Sequence, residues 1–309
     1  MSMETINFAG HPLSRLMLGT VQFGMNYGIA NRGGQPDYAD VKKLLAAAAD
    51  AGVNCLDTAA GYGASEEILG RALHELGIAQ KMFVVSKLRP LAPEEGASPE
   101  AAAKAIRKSL EQSLSRLRLD CLPLLLFHRM ADFTFVGSVE KLREEGLVQH
   151  LGVSCDQWSE SALDMVASGK LEAVQAPASV LDRRYLKMGL CRAAGSRGVA
   201  VFIRSVYLQG LLMMEPVPEA LRAVVPARRR LAELAAAAGM SLGELALRYI
   251  LGQEGVSCAL VGVDNLAQLR ENLGMFSRGP LDAGLARAVE DAVQDLPEAV
   301  ITPALWPKP

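Results

Sequence analysis

The chain has 309 residues, of which 50% are hydrophobic and 21% are charged, and its formal net charge at pH 7 is -2. This composition is typical of a globular protein and provides no basic field for a phosphate backbone, so we expect no nucleic-acid partner. The N-terminus lacks the basic start and apolar core of a signal peptide, and no segment reaches the roughly 18 apolar residues of a membrane span. We therefore expect a cytoplasmic protein with no membrane partner.

Short apolar runs alternate with helical patterns along the chain. The opening segments INFAG and HPLSRLML predict a small hairpin. Strands are predicted at 16–20, 53–57, 82–88, 121–128, 148–154, 172–176, 199–205 and 256–262. Helices are predicted between them at 38–52, 64–77, 98–117, 138–146, 159–169 and 184–198, and again around 226–252 and 282–293.

The strand patterns indicate one fold class. Strands that are apolar along their whole length are typical of a parallel sheet covered on both faces. Eight successive strand–helix units predict a single domain over residues 1–309, an α/β (β/α)8 TIM barrel with a short N-terminal hairpin and extra C-terminal helices. An open doubly wound sheet is the alternative.

The cysteines show neither CxxC spacing nor a histidine at metal-ligand distance. They lie mostly in or beside apolar runs, at Cys55, Cys121, Cys155, Cys191 and Cys258. We expect reduced, mostly buried thiols and no metal site. Nothing in the sequence specifies an oligomeric state.

The stretch VNCLDTAAGYGASEEILGRAL (53–73) joins a predicted strand to a predicted helix through a glycine-flanked tyrosine. The two glycines supply the first half of a dinucleotide-binding GxGxxG pattern, but its third glycine is replaced by Glu66. A pyrophosphate at this helix start would be repelled by the carboxylates of the first turn. The pattern therefore does not indicate a phosphate site. It places Asp57 and Tyr62 at the C-terminal face of the barrel, where catalytic residues of this fold gather.

Two further polar residues end the next strands. Lys87 ends the third strand and His128 ends the fourth. Taken singly, each of these residues has an ordinary structural explanation, but together they bring four ionisable groups to one mouth. An ammonium beside a tyrosine stabilises phenolate, so Lys87 is expected to lower the pKa of Tyr62 from roughly 10. With Asp57 holding Lys87, the set predicts carbonyl reduction, with Tyr62 as general acid and His128 as hydrogen-bond donor to the substrate oxygen.

With these residues in place, the sequence resembles the aldo-keto reductases over almost its full length. Independent matches are LGTVQFG near the start, GVS at 152–154, SVYLQGLL at 205–212 and VGVDNLAQLREN at 261–272. The resemblance implies a barrel that uses NADH or NADPH to reduce an aldehyde or ketone. It also implies an Asp, Tyr, Lys, His catalytic tetrad, which falls on Asp57, Tyr62, Lys87 and His128.

The resemblance implies a cofactor site along the strand ends. Ser154 and Gln175 would hold the carboxamide, residues 205–210 would line the pyrophosphate, and residues 262–272 would surround the adenosine. The full expected set is Gly19, Thr20, Asp57, Ser154, Gln175, Arg204, Ser205, Leu208, Gly210, Gly262, Asp264, Gln268, Glu271 and Asn272.

Three positions depart from the family pattern. Cys155 stands where an asparagine usually helps to hold the carboxamide, and a thiol is a weaker hydrogen-bonding group. Arg204 replaces an aromatic ring that stacks on the nicotinamide, and its charge would favour the reduced ring over the oxidised one. Asp264 would accept a hydrogen bond from a ribose hydroxyl and repel a 2′-phosphate, so NADH is expected to be tolerated or preferred. The alternatives are that Arg270 reaches the phosphate or that Asp264 caps the next helix.

The substrate is less well determined by the sequence. Loop residues expected at the pocket are Phe23, Tyr27 and Arg129, with Met25 and Phe133 beside them. The stretch YGIANRGGQP (27–36) resembles loops of aldo-keto reductases in sugar and polysaccharide metabolism. Two other functions remain open: a nicotinamide-binding sensor or regulatory barrel with little turnover, and an isomerase or aldolase with Lys87 as nucleophile. The isomerase or aldolase function would give no role to Asp57 or Tyr62.

Overall fold

The computed structural model describes residues 3–307 and begins with an antiparallel hairpin of β1 (Thr5–Phe8) and β2 (His11–Ser14). The hairpin side chain Phe8 is buried and packs edge-on against Phe83, with 5.6 Å between the ring centroids. Leu13 belongs to the same buried cluster. The predicted hairpin is confirmed, and it closes the N-terminal end of the structure that follows.

Eight parallel strands form a closed barrel in chain order, and the last strand pairs with the first. The strands are β3 (Leu16–Gly19), β4 (Cys55–Asp57), β5 (Phe83–Leu88), β6 (Leu122–Phe127), β7 (Val148–Ser154), β8 (Ala173–Pro177), β9 (Ala200–Arg204) and β10 (Cys258–Gly262). Each predicted run overlaps one of these strands. The TIM-barrel prediction is confirmed, and the open-sheet alternative is excluded because the strand order closes on itself.

The helices surround this barrel and bury their apolar faces against its outer surface. They are α1 (Val21–Gly24), α2 (Tyr38–Asp50), α3 (Ser65–Glu75), α4 (Pro99–Leu117), α5 (Val136–Glu144), α6 (Ser161–Ala167), α7 (Arg184–Lys187), α8 (Leu190–Gly195), α9 (Val225–Ala237), α10 (Leu242–Leu251), α11 (Leu266–Phe276), α12 (Ala283–Ala292) and α13 (Glu298–Ile301). The extra C-terminal helices predicted around 226–252 and 282–293 are α9, α10 and α12.

Strand alternation carries polar side chains to the top of the barrel interior. In β5, Phe83 and Val85 belong to the apolar cluster inside the barrel, and Lys87 continues the same row two residues later. Cys55 in β4 is followed in the same way by Asp57. Side chains two residues apart on a strand share a face, so each strand, or in the case of β6 the residue directly after it, contributes one residue to a final layer, which we call the mouth layer. Its members are Gly19, Asp57, Lys87, His128, Ser154, Gln175, Arg204 and Gly262.

Within residues 3–307, no single helix is both long and apolar enough to cross a membrane. One pair, Glu219–Ala237 with Leu242–Leu251, meets the length and composition of a span only when both are counted together across an 89° bend. The same part of the chain contains no cluster of three His, Cys, Asp or Glu residues that could hold a metal ion. All five cysteines are free thiols, and Cys121 is the one that is only partly buried.

Candidate active site

A cavity of about 970 Å³ opens above the mouth layer. Asp57, Tyr62 and His128 lie on its wall. Lys87 lies beneath them and is completely buried, with a relative exposure of 0%. The structure therefore brings the four predicted tetrad residues together at the C-terminal end of the barrel.

An ion pair forms the floor of this cavity. The Lys87 Nζ atom lies 2.6 Å from Asp57 Oδ1 and also donates to the Thr58 carbonyl oxygen at 2.9 Å. The Gln175 side-chain amide donates to the same Asp57 oxygen at 2.8 Å. Burial lowers the pKa of Lys87, and the Asp57 carboxylate opposes part of that shift. Both charges are thus removed from water and compensated by partners from β4, β5 and β8.

Tyr62 stands between the ion pair and the histidine. Lys87 Nζ lies 4.9 Å from the centre of the Tyr62 ring, and the His128 ring meets it edge-on at 5.7 Å between centroids. The expected lowering of the Tyr62 pKa by Lys87 is wrong for this structure. Burial and the Asp57 carboxylate raise that pKa above its ordinary value of 10.0, and Arg204 opposes part of the shift. The reason is that the cavity walls exclude water while Asp57 already neutralises the ammonium.

His128 is held in its neutral form. Burial, followed by the charges of Lys87 and Arg204, lowers the pKa of His128 to about 3. Its Nδ1 atom is buried and has no hydrogen-bond partner among residues 3–307. A neutral imidazole on the cavity wall has one N–H to offer a substrate oxygen, and it withdraws no proton from Tyr62 at neutral pH.

The cavity wall also fits a nicotinamide dinucleotide. Ser154 lies on the wall, and its hydroxyl lies 3.4 Å from the Gln175 side-chain oxygen, so hydroxyl and amide groups adjoin where a carboxamide is expected. The loop after β9 has positive φ angles at Ser205, Leu208 and Gln209. Residues other than glycine rarely adopt this backbone conformation. At Gly210, which also has a positive φ, an added Cβ would lie 2.4 Å from the Ala30 side chain. This compact loop lines the cavity through Ser205, Val206, Tyr207, Gln209 and Gly210, at the place where the pyrophosphate is expected.

The far end of the cavity is lined by the start of α11 and the loop before it. Asn265 caps α11 by accepting a hydrogen bond from the Gln268 backbone at 3.0 Å, so Asp264 is not the capping residue. The Gln268 side chain turns back to Asp264, accepting from its backbone N–H at 2.7 Å. Asp264 Oδ1 is buried with no hydrogen-bond partner in the described chain, and burial raises the Asp264 pKa. Arg270 is exposed and lies outside the cavity lining.

The other predicted positions divide into two groups. Residues on the cavity wall are Gly19, Tyr27, Arg204, Ser205, Gly210, Gly262, Gln268, Glu271 and Asn272. Phe23 instead lies in the apolar core, and Thr20 is buried beside Asp57. The Arg129 guanidinium is bound to Asp132 at 2.5 Å and to the Leu91 carbonyl oxygen at 2.9 Å. These last three side chains do not reach the cavity because local contacts hold them elsewhere. Leu208, expected at the pyrophosphate, is likewise buried in the apolar core and does not line this cavity.

Cys155 and Arg204 interact through the backbone. The Cys155 thiol is buried in the core, which raises its pKa to about 12, and the Cys155 carbonyl oxygen accepts a hydrogen bond from Arg204 at 2.8 Å. Arg204 also donates to Ser205 Oγ at 3.3 Å. The guanidinium is therefore fixed at the edge of the cavity rather than free in solvent.

Some wall residues were not identified from the sequence. Gln22 and Tyr207 line the cavity and belong to the motifs LGTVQFG and SVYLQGLL. The resemblance of those motifs to the family could therefore have identified both residues. Asp156 lines it from the loop after β7 and also borders a second cavity of about 260 Å³. The C-terminal residues 301–304 form one side of that second cavity. No sequence pattern indicates that the chain returns to the barrel mouth there.

The aldo/keto reductase family profile matches residues 15–293. The chain belongs to this family. It is 28% identical to the NADH-specific methylglyoxal reductase of Escherichia coli, over 91% of this chain and 96% of that protein. It is also 28% identical to the L-galactose dehydrogenase of Arabidopsis thaliana, over 72% of this chain and 73% of that protein. The solved glycerol dehydrogenase of Gluconobacter oxydans matches with a TM-score of 0.76 at 29% identity, covering 98% and 97% of the two chains.

Family membership confirms the predicted enzyme class. This aldo-keto reductase is an NAD(P)H-dependent oxidoreductase of carbonyl compounds. The isomerase and aldolase alternative is excluded by the same match, and the structure commits Lys87 to hydrogen bonds with Asp57 and Thr58.

The pKa shifts predict a flat pH profile for reduction. The general acid expected from the sequence, Tyr62, would have to carry its proton, and a pKa raised above 10.0 keeps that proton bound throughout the neutral range. The lowered pKa of His128, about 3, keeps that residue neutral through the acid side. We expect kcat/KM for a non-ionising aldehyde to stay constant between about pH 5 and about pH 9. An inflection near pH 6.5 that disappears in His128→Gln would contradict the assignment of a neutral histidine.

Proposed function

We propose that Tyr62 is the proton donor in carbonyl reduction by this enzyme. The observation that carries the proposal is the convergence of Tyr62, His128 and the buried Lys87–Asp57 pair on one cavity wall. The same cavity extends to the residues that fit a nicotinamide dinucleotide. One enclosed space thus holds both the acid and the place from which hydride would arrive.

The protein groups divide the proton chemistry among themselves. A bound reduced nicotinamide supplies the hydride. Neutral His128 donates a hydrogen bond to the carbonyl oxygen, where negative charge develops. Tyr62 transfers its phenolic proton to that oxygen, which is a much stronger base than phenolate once it becomes an alkoxide. The Arg204 cation, whose charge opposes the rise in the Tyr62 pKa, then stabilises the phenolate that remains.

We infer that the substrate carries hydroxyl groups near the carbonyl. The similar proteins from Arabidopsis thaliana and Gluconobacter oxydans are named for L-galactose and glycerol. The second cavity beside Arg204 is bordered by polar side chains, including Asp156 and Asp182, and gives room for such groups. A short hydroxyaldehyde and the alkyl aldehyde of equal chain length are therefore the matched assay substrates.

Tyr62→Phe tests the proton donor. We expect kcat to fall by about 10² to 10⁴, because the variant deletes the phenolic proton and preserves the ring. Cofactor affinity, measured by fluorescence titration, should not change. Tyr38→Phe on α2 is the control, since its hydroxyl is buried without a hydrogen-bond partner in the described residues and lies outside the cavity lining.

Three results would count against these assignments. A Tyr62→Phe enzyme that keeps more than about a tenth of the wild-type rate, with chemistry rate-limiting, would show that another group supplies the proton. Cofactor binding without measurable turnover in wild type would favour the sensor function. Equal kcat/KM for the two matched aldehydes would remove the hydroxylated-substrate inference.

We further propose that the enzyme prefers NADH. Asp264 Oδ1 is a buried acceptor without a partner in the described chain, at the end of the cavity where an adenosine ribose would lie. A ribose hydroxyl would satisfy this oxygen, whereas a 2′-phosphate would meet like charge. The similar reductase from Escherichia coli is NADH-specific, which supports the same preference.

Asp264→Arg tests this preference. We expect the ratio of kcat/KM for NADH to that for NADPH to fall by about 5- to 30-fold, because the variant replaces repulsion of the phosphate with attraction. Asp264→Asn is the matched control, since it retains an oxygen acceptor without the charge and should give a smaller change. A wild-type enzyme already selective for NADPH would contradict the proposal.

A further inference from the structure

Three buried hydroxyl groups lie beneath the Tyr62 turn. Thr20, Thr58 and Ser65, which we call the hydroxyl cluster, each have a relative exposure of 0%. The Ser65 hydroxyl oxygen lies 2.8 Å from the Thr20 hydroxyl and 3.0 Å from the Thr58 hydroxyl. Ser65 also donates to the Thr20 carbonyl oxygen at 2.7 Å, and the Thr20 hydroxyl donates to the Asp57 carbonyl oxygen at 2.8 Å. None of these groups lines the cavity.

The hydrogen bonds of this cluster depend on one another. Three hydroxyl protons serve four short contacts, and each proton can go to only one acceptor at a time. With the Ser65 proton on the Thr20 carbonyl, Thr58 becomes the donor to Ser65. Removing the Ser65 hydroxyl therefore leaves the Thr58 hydroxyl without its partner in a site that water does not reach. It also leaves the Thr20 carbonyl oxygen with only the Phe23 N–H, at 3.0 Å.

The cluster closes the loop that carries the proton donor. Thr58 and Ser65 are the two ends of the Tyr62 turn, and their hydroxyl contact joins those ends directly. Within the turn, the Tyr62 N–H donates to the Ala59 carbonyl oxygen, and the Ser65 N–H donates to the Tyr62 carbonyl oxygen, both at 3.0 Å. The path of the backbone at Tyr62 is thus fixed from both sides.

The loop after the first barrel strand holds the same turn from outside. A Cβ atom at Gly24 would lie 1.9 Å from the Tyr62 carbonyl oxygen, so the two backbones are in contact. The Ala64 N–H donates to the Gly24 carbonyl oxygen at 3.3 Å. Thr20 stands immediately before the helix that ends at Gly24. A change at the hydroxyl cluster would therefore move the turn relative to this support.

The cluster also touches the ion pair. The Thr58 carbonyl oxygen accepts a hydrogen bond from Lys87, and the Asp57 carbonyl oxygen accepts one from Thr20. The two ends of the Tyr62 turn and the two charged residues beneath it are consequently held in one frame.

We propose that Ser65, acting with Thr20 and Thr58, is a positioning residue that sets the phenol of Tyr62 over the reacting carbonyl. This role rests on the proposed function of Tyr62 as proton donor. It also gives Thr20 a structural role in place of the cofactor contact expected from the sequence.

The test is a double-mutant cycle between Ser65→Ala and Tyr62→Phe. Displacing a catalytic group by a fraction of its hydrogen-bond length costs up to about 10², so we expect Ser65→Ala to lower kcat by about 10- to 100-fold. Cofactor affinity by fluorescence titration should stay within about 2-fold, because the cluster does not line the cavity. In the Tyr62→Phe background, Ser65→Ala should produce no further loss, since the donor that it positions is already absent.

Two further comparisons separate positioning from general damage. Ser109→Ala on α4 removes a buried hydroxyl that has no hydrogen-bond partner in the described chain, and it should leave kcat unchanged. If Ser65→Ala fails to fold, the pair Thr20→Val and Thr20→Ser replaces it. Thr20→Val keeps the shape and loses the hydroxyl, so it should lose turnover, while Thr20→Ser should retain most of it.

The outcomes distinguish this inference from the proposed function. Loss of turnover in Tyr62→Phe together with wild-type turnover in Ser65→Ala would overturn the positioning role alone. An equal loss from Ser65→Ala in both backgrounds would also overturn it, because the effect would not pass through Tyr62. Wild-type turnover in Tyr62→Phe would overturn the proposed function and the positioning role together.

Discussion

The buried ion pair between Lys87 and Asp57 is the interaction on which the active site depends. Two charges inside a barrel are stable only when they are paired and their remaining hydrogen-bonding capacity is satisfied. Lys87 meets this condition with Asp57 and the Thr58 carbonyl, and Asp57 with Lys87 and Gln175. The pair therefore ties β4 and β5 to β8 on the opposite side of the barrel and leaves Tyr62 and His128 to face the cavity.

The apolar interior below explains why the pair sits where it does. Alternation along each strand fills the lower barrel with side chains such as Phe83, Val85 and Phe202, and Phe8 from the hairpin closes its base. The mouth layer above them carries most of the polar side chains, and Asp57, His128, Ser154 and Arg204 of this layer line the cavity. The hydroxyl cluster connects the ion pair to the turn that carries Tyr62.

Most of the fold and the tetrad could be predicted because both follow from strand periodicity. Apolar runs of five to eight residues identified the eight strands, and the polar residue at each strand end identified Asp57, Lys87 and His128. Tyr62 followed from the glycine-flanked turn after the second barrel strand. The resemblance to aldo-keto reductases then supplied the positions of the cofactor wall, most of which line the cavity.

The errors share a different cause. The direction of the Tyr62 pKa shift depends on how completely the cavity walls exclude water. The pattern of apolar and polar residues along the strands does not show how deeply Tyr62 is buried. Phe23 lies in the short helix α1 and Arg129 in the loop after β6, and local contacts set the directions of both side chains, with the core for the first and with Asp132 for the second. The second cavity depends on residues 301–304, which meet the barrel mouth through long-range packing.

The central role of the ion pair is tested most directly by measuring separately what it contributes to the stability of the protein and to turnover. The measurement compares the free energy of unfolding in urea and the turnover of wild type, Lys87→Met, and Lys87→Met combined with Asp57→Asn. Lys87→Met should lose about 3 to 5 kcal/mol, because it leaves a buried carboxylate unpaired. The double variant should regain much of that stability without regaining turnover. Wild-type stability in Lys87→Met, or restored turnover in the double variant, would contradict the central role of the pair.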